Sequence, residues 1–147
     1  MAGKEMAVKN SMSLEFLSLP ENVGLARVAV AAFVAQVDLT LNDLEEIKVA
    51  VSEAVSNAII HGYKDNPQGI VRVKATRFNG TLEIIVEDEG AGIADITQAM
   101  QPAYSTDPER MGLGFSFMQS FMDEVEVVSE PGQGTRVIMR KNLAALN

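Results

Sequence analysis

The stretch Glu46–Tyr63, EIKVAVSEAVSNAIIHGY, decides how this chain reads. It contains no proline, and its one glycine, Gly62, stands next to its end. Leu44, Ile47, Val51, Ala54, Val55 and Ala58 recur at three- and four-residue steps, the pattern of a helix with one buried face. Glu53, Asn57 and His61 lie four residues apart. At roughly 100° per residue they fall, together with Glu46, within an arc of about 80°. The helix therefore carries an apolar stripe and, beside it, a carboxylate, an amide and an imidazole in a row. An amide carbonyl is an oxygen ligand suited to Mg²⁺. A carboxylate one turn earlier can accept a proton from a hydroxyl. The same row also reads as a solvated polar edge, and the helix by itself leaves both readings open.

Composition narrows the classes. The 147 residues fit a single domain, residues 1–147. At 47% hydrophobic, the chain has enough apolar material for a real core. Its longest apolar run is far too short to span a bilayer. The N-terminal MAGKEMAVKN has a charged start but no apolar core behind it, so no signal peptide is expected. The absence of cysteine excludes disulfides, thiolate zinc sites and a cysteine nucleophile, and fits a reducing cytoplasm. One histidine excludes a polyhistidine metal site. A net charge of −8 makes nucleic acid an unexpected direct partner. An acidic surface favours a basic protein partner, although solubility alone accounts for most such charges. The expectation is a cytoplasmic protein bound neither to membrane nor to nucleic acid.

Working outward along the chain, residues 1–10 read as a loose end. Ser13–Leu19 alternates and predicts a first strand, ended by Pro20. Asn22 suits the N-cap of a helix over about 22–37. That helix is apolar nearly all round, with Arg27 its only charge over Val23–Val37. Such a helix is either fully buried or part of an interface. Thr40 or Asn42 can cap the central helix. After the turn cluster Asp65, Asn66, Pro67 and Gly69, Ile70–Arg77 alternates as a strand. Asn79-Gly80 is a hairpin turn, and Thr81–Asp88 follows as a more central strand. Residues 94–100 suit one or two helical turns, 102–111 a mobile loop, and 113–122 a helix. Glu124–Ser129 and Thr135–Arg140 are strands joined by the turn Pro131-Gly132-Gln133-Gly134.

Two glycine motifs carry chemistry. Asp88-Glu89-Gly90-Ala91-Gly92-Ile93 comes straight off the central strand, where glycines permit positive φ and close backbone approach to a ligand. Asp88 there would be a buried carboxylate in need of a donor, and the exocyclic amine of adenine is one. Gly112-Leu113-Gly114 stands between the loop and a helix start, where backbone N–H groups form a phosphate site. Either motif alone also reads as an ordinary tight turn. Neither matches the dinucleotide or P-loop fingerprint.

The ordered set is more specific than its parts. Glu-x-x-x-Asn on a helix, Asp-x-Gly-x-Gly after a strand, a loop, Gly-x-Gly before a helix, and Gly134-Thr135 opening the last strand resemble the GHKL nucleotide-binding superfamily. The resemblance covers nearly the whole chain. The wording VSEAVSNAIIHGY, DEGAGI and GLGFSFMQSFMDEVEVVSEPGQGT is similar to the bacterial anti-sigma kinases, in particular those of the sporulation sigma-F type. The resemblance implies an α/β fold, a two-layer sandwich of a mixed, mostly antiparallel sheet covered on one face by helices. It implies ATP and Mg²⁺ as cofactors. It places the Mg²⁺-ligating asparagine on Asn57, the general base on Glu53, and the adenine-reading aspartate on Asp88, with Gly90 and Gly92 beside it. Thr135 supports the adenine end, Gly112 and Gly114 are the phosphate-side glycines, and Arg110 is the lid arginine. The lid, PAYSTDPERMGLGF, is shorter than the usual stretch.

Chemistry selects among members of the superfamily. A histidine substrate is already nucleophilic, whereas a serine hydroxyl or a water gains from a carboxylate base. Glu53 therefore favours serine phosphorylation or ATP hydrolysis. About a dozen residues precede the first strand, too few for a hairpin bearing a phospho-accepting histidine. His61 reads as a structural residue at the helix end. The implied function is an anti-sigma factor that binds a sigma factor of the sigma-F type and phosphorylates its anti-anti-sigma partner on serine, as a homodimer, with Arg27 as a partner-binding anchor. The alternatives are a gyrase-type ATPase and a non-catalytic, ATP-gated binding module.

Overall fold

In the computed structural model, residues 7–95 and 111–143 are described, the side chains of 111 and 112 excepted. Five strands form one sheet: β1 (Val8–Leu17), β2 (Ile70–Phe78), β3 (Thr81–Asp88), β4 (Glu124–Glu130) and β5 (Gly134–Asn142). Their order is β1-β2-β3-β5-β4, and every pairing is antiparallel. β3 is central, as its apolar content predicts. Among the described residues, three α-helices pack on the sheet: α1 (Asn22–Val34), α2 (Leu41–Asn57) and α3 (Met111–Phe121).

The period of two along each strand sorts the sheet into two faces. Val73 pairs with Val86 and Val86 with Val137; Ala75 pairs with Ile84 and Ile84 with Met139. These six are buried, and they meet Ile47, Val51, Ala54 and Val55 of α2 in one core. The opposite face carries cross-strand ion pairs, Arg72 with Glu15 at 2.6 Å, Arg136 with Glu87 at 2.8 Å, and Arg140 with Glu83 at 3.0 Å. Lys141 ties the layers together, donating to the Phe121 carbonyl at the end of α3 at 2.8 Å and to Glu46 on α2 at 3.3 Å.

Several boundaries differ from the sequence expectation. β1 starts at Val8 and ends at Leu17, because it pairs along the whole length of β2, from Phe78 to Ile70. Its N-terminal half lacks a clear apolar alternation and is extended by that ladder. Asn22 is not an N-cap. Glu21 holds that position without a side-chain bond, and the Asn22 amide donates to the Leu17 carbonyl at 2.9 Å. Helix α1 stops at Val34, three residues early, and the chain tightens into i→i+3 bonds from Gln36 and Val37. It buries Ala26, Val30, Phe33 and Val34 and leaves Leu25 and Val28 exposed, so it is a surface helix with an apolar outer face. For α2, Thr40 is the cap, accepting from the Asp43 N–H at 3.0 Å.

The largest local departure lies in the stretch that organises the fold. The α-helix ends at Asn57, and Ala58–Gly62 forms a π-turn, closed by the Tyr63 N–H on the Ala58 carbonyl at 2.9 Å. Lys64 and Asp65 then take positive φ, 53° and 63°, to reverse the chain.

Candidate functional site

The last turn of α2, the π-turn, the end of β3 and the start of β5 converge on one cavity. Asn57, His61, Asp88 and Thr135 line it, with Ile93 and Phe115. The space between them is about 20 Å³, room for a water molecule but not for a purine. Phe115, on α3, is 1% exposed and closes one side.

Asp88 stands at the base. It is 8% exposed and faces Thr135 directly across the β3–β5 ladder. Burial pushes its carboxyl up to about 6, against the N–H groups of Gly90 and Thr135, which favour the ionised form. The Gly90 N–H donates to Oδ1 at 2.9 Å. The carboxylate thus keeps acceptor capacity facing the cavity, in a dry setting where an amine donor gains most.

The loop after Asp88 is stitched between two other elements. The Ala91 N–H donates to the Gly62 carbonyl at 2.7 Å, and the Gly132 N–H to the Ala91 carbonyl at 2.6 Å. A Cβ on Gly90 would overlap the Gly62 carbonyl, and Gly92, at φ +75°, would set one into the Glu130 carbonyl. Both glycines of Asp-x-Gly-x-Gly are thus required by close backbone approach. Tyr63 anchors the loop's start: its hydroxyl accepts from the Glu89 N–H at 2.7 Å and donates to the Ile70 carbonyl at 2.6 Å.

Glu53 and Asn57 lie one turn apart on α2, under the first turn of α3. A Cβ on Gly114 would stand 2.9 Å from Glu53 Oε1 and 3.4 Å from Asn57 Nδ2. The fold therefore brings together the carboxylate, the amide and the second glycine motif, which are far apart in sequence. Asn57 Nδ2 is buried with no hydrogen-bond partner among the described residues. A buried donor of this kind is costly unless an acceptor arrives, and a phosphate oxygen would be one. Among the described residues no group of three or more His, Cys, Asp or Glu is placed to hold a metal ion. The Asn57 amide oxygen fits Mg²⁺ in its usual mode, with one or two protein oxygens supplemented by substrate phosphates and water.

The remaining site expectations divide. Gly112 lies inside α3, which begins at Met111 and not at 113, so both glycines sit in its first turn. Arg110, the rest of the lid from 102 to 110 and the turns expected at 94–100 lie outside the described residues from 96 onward. Arg27 is remote from the cavity: on α1, its Nη1 donates to Ser52 Oγ at 3.1 Å. His61 is on the π-turn and lines the cavity together with Asn57. Gly62 was not singled out by its sequence, yet its Cβ would lie 2.7 Å from Asp88 Oδ1. The available signal was a glycine placed next to a tyrosine at a helix end. Ser129 and Phe115 carried no local signal at all.

Comparison with known proteins identifies the family. The model of the histidine kinase-like ATPase domain family matches residues 16–141. The chain is 50% identical over 139 residues to the anti-sigma F factor of Clostridium novyi, covering 93% of this chain and 97% of that one. It is 52% identical over 143 residues to the anti-sigma F factor of Heyndrickxia coagulans, covering 95% and 97%. Among solved structures, the RsbU and RsbW domains of a Mycobacterium tuberculosis protein align with a TM-score of 0.68 at 19% identity, over 92% of this chain and 33% of that one. The catalytic domain of the histidine kinase ThkA aligns with a TM-score of 0.59 at 16% identity, over 90% and 96%. The structural matches carry the fold alone.

Proposed function

This chain belongs to the histidine kinase-like ATPase domain family, among the anti-sigma F factors, and on that premise we propose that it is an ATP-dependent protein serine kinase that also sequesters a sigma factor. ATP binds with its adenine amine on Asp88 and its phosphates toward Gly112, Gly114 and Asn57. Asn57 Oδ1 would hold Mg²⁺, which would supply positive charge beside the phosphates when bound. Glu53 accepts the proton of a serine hydroxyl on an anti-anti-sigma partner as that oxygen attacks the γ-phosphorus and the bond to the β,γ-bridging oxygen breaks, releasing ADP. The resemblance assigns Arg110, which lies outside the described residues, to the γ-phosphate.

The observation that carries the reading is the placement of Glu53 and Asn57 against Gly114, with Asn57 lining the same cavity as the Asp88–Thr135 pair. Sigma-factor binding rests on the similarity to anti-sigma F factors. The exposed Leu25 and Val28 of α1 support a contact with a second chain, a homodimer partner or a sigma factor, with Arg27 beside them. Among the described residues no helix is long and apolar enough to cross a membrane.

The test is phosphotransfer from γ-labelled ATP to a purified anti-anti-sigma protein by wild type and Glu53→Gln. The variant keeps size and hydrogen bonding, so ATP affinity is retained while the rate falls by on the order of 10²–10⁴. Wild-type speed in the variant overturns the role of Glu53. Steady ATP turnover without a partner would support an ATPase instead.

A further inference from the structure

Ser129, on the edge strand β4, has no part in the proposed chemistry, yet its hydroxyl is the most heavily used in the site. Ser129 Oγ accepts from the Ile93 N–H at 2.8 Å, lies 3.0 Å from the Gly134 carbonyl, to which it can donate, and is 2.8 Å from Thr135 Oγ1. Counting protons decides what this does. A hydroxyl has one proton and two lone pairs. One Ser129 lone pair is taken by Ile93. If the Ser129 proton goes to the Gly134 carbonyl, the other lone pair accepts the Thr135 proton. All three Ser129 positions are then used, and Thr135 Oγ1 is left presenting only lone pairs to the cavity it lines beside Asp88. The carbonyl has no proton of its own, so this arrangement satisfies it. The reverse arrangement, Ser129 donating to Thr135, leaves that carbonyl without this donor.

We propose that Ser129 is a specificity-determining positioning residue, which holds the Thr135 hydroxyl as an acceptor so that the cavity presents two acceptors, Asp88 and Thr135, to one edge of the bound base. The inference rests on the reading of this cavity as the adenine site. Two acceptors side by side match an exocyclic amine, which has two N–H donors, and repel a carbonyl at the same position. Ser129 would thus set the preference for a 6-amino over a 6-oxo purine without touching the nucleotide. It also ties Ile93, at the end of the glycine loop, to the β4–β5 turn.

The test compares ATP with ITP, which differs at purine position 6, by calorimetry on the full chain at pH 7.5. Wild type prefers ATP. In Ser129→Ala the Thr135 proton is free to turn toward the base, so the ATP/ITP ratio narrows by about tenfold, the scale of one hydrogen bond, with Ser129→Thr restoring it. In a Thr135→Val background, Ser129→Ala leaves the ratio where Thr135→Val alone put it. A general loss of structure would weaken both nucleotides together and leave the ratio unmoved. A ratio unchanged in Ser129→Ala, or Ser129→Ala acting equally with and without the Thr135 hydroxyl, overturns this inference while leaving the adenine site intact. Wild type binding neither nucleotide overturns both. If Ser129→Ala does not fold, the same ratio is read in Ser129→Cys, whose weak donor narrows it in the same direction; an unchanged ratio there is equally decisive.

Discussion

Lowering the pH should weaken ATP binding through Asp88, and the size of the effect follows from its burial. The Asp88 carboxyl is pushed from 3.8 up to about 6 by desolvation. At pH 5 only about a tenth of the free protein then holds it ionised, against nearly all at pH 7.5. If the amine of adenine requires the carboxylate, the Kd for ATP rises by about tenfold across that interval. The nucleotide's own phosphates titrate nearby, and His61 lines the same cavity. Asp88→Asn carries both of those contributions and lacks the carboxylate, so the difference between the two profiles isolates Asp88. The stability profile gives a second, ligand-free reading. A carboxyl with a raised folded-state value stabilises the fold fully below about pH 4, and that contribution is lost as pH rises through about 6. The ionised state at pH 7.5 therefore costs on the order of 2–3 kcal/mol relative to a neutral side chain. Asp88→Asn should be more stable than wild type by about that amount at pH 7.5, with the gap closing toward pH 4. Isothermal titration calorimetry from pH 5 to 7.5 and urea unfolding from pH 4 to 7.5 measure the two halves. Parallel binding profiles in wild type and Asp88→Asn, together with a stability gap independent of pH, would refute the assignment.

Other outcomes follow from close contacts. Gly90→Ala sets a methyl into the Gly62 carbonyl, a backbone group that cannot swing away, and should lower the unfolding free energy by about 3 kcal/mol in urea titration. Gly114→Ala meets instead the far end of the Glu53 side chain at 2.9 Å; the protein should fold with little change in Tm, while phosphotransfer drops because the base is displaced. Arg27→Glu should weaken sigma-factor binding by about 1 kcal/mol or more and leave ATP affinity unchanged, read by surface plasmon resonance and calorimetry; unaltered partner affinity would leave Arg27 as the donor to Ser52 alone.

What the sequence by itself determined here is whatever recurs locally. The apolar stripe of Glu46–Tyr63, the hairpin at Asn79-Gly80, the central strand ending in Asp88, and the two glycine motifs each span fewer than twenty residues, and each was legible because helix and strand periods and turn residues leave a pattern along the chain. That Glu53 and Asn57 are near neighbours on one face follows from helix geometry alone, and the order of the motifs carried the family. The tertiary structure decided what depends on residues far apart. Ser129 reaches Ile93 across 36 positions and Tyr63 reaches Glu89 across 26, and neither contact leaves a local signature. Gly62 looked like an ordinary helix end until β3 placed the Asp88 carboxylate against its Cα. The π-turn is likewise invisible in the sequence, because Ala58–Gly62 has a run of residues that suits an α-helix equally well. β1 begins at Val8 because β2 extends that far and its backbone groups need partners. Local pattern set which residues could carry the chemistry; the packing of β3, β5, the π-turn and α3 around one cavity set which of them meet, because hydrogen bonds and excluded volume act through space and not along the chain.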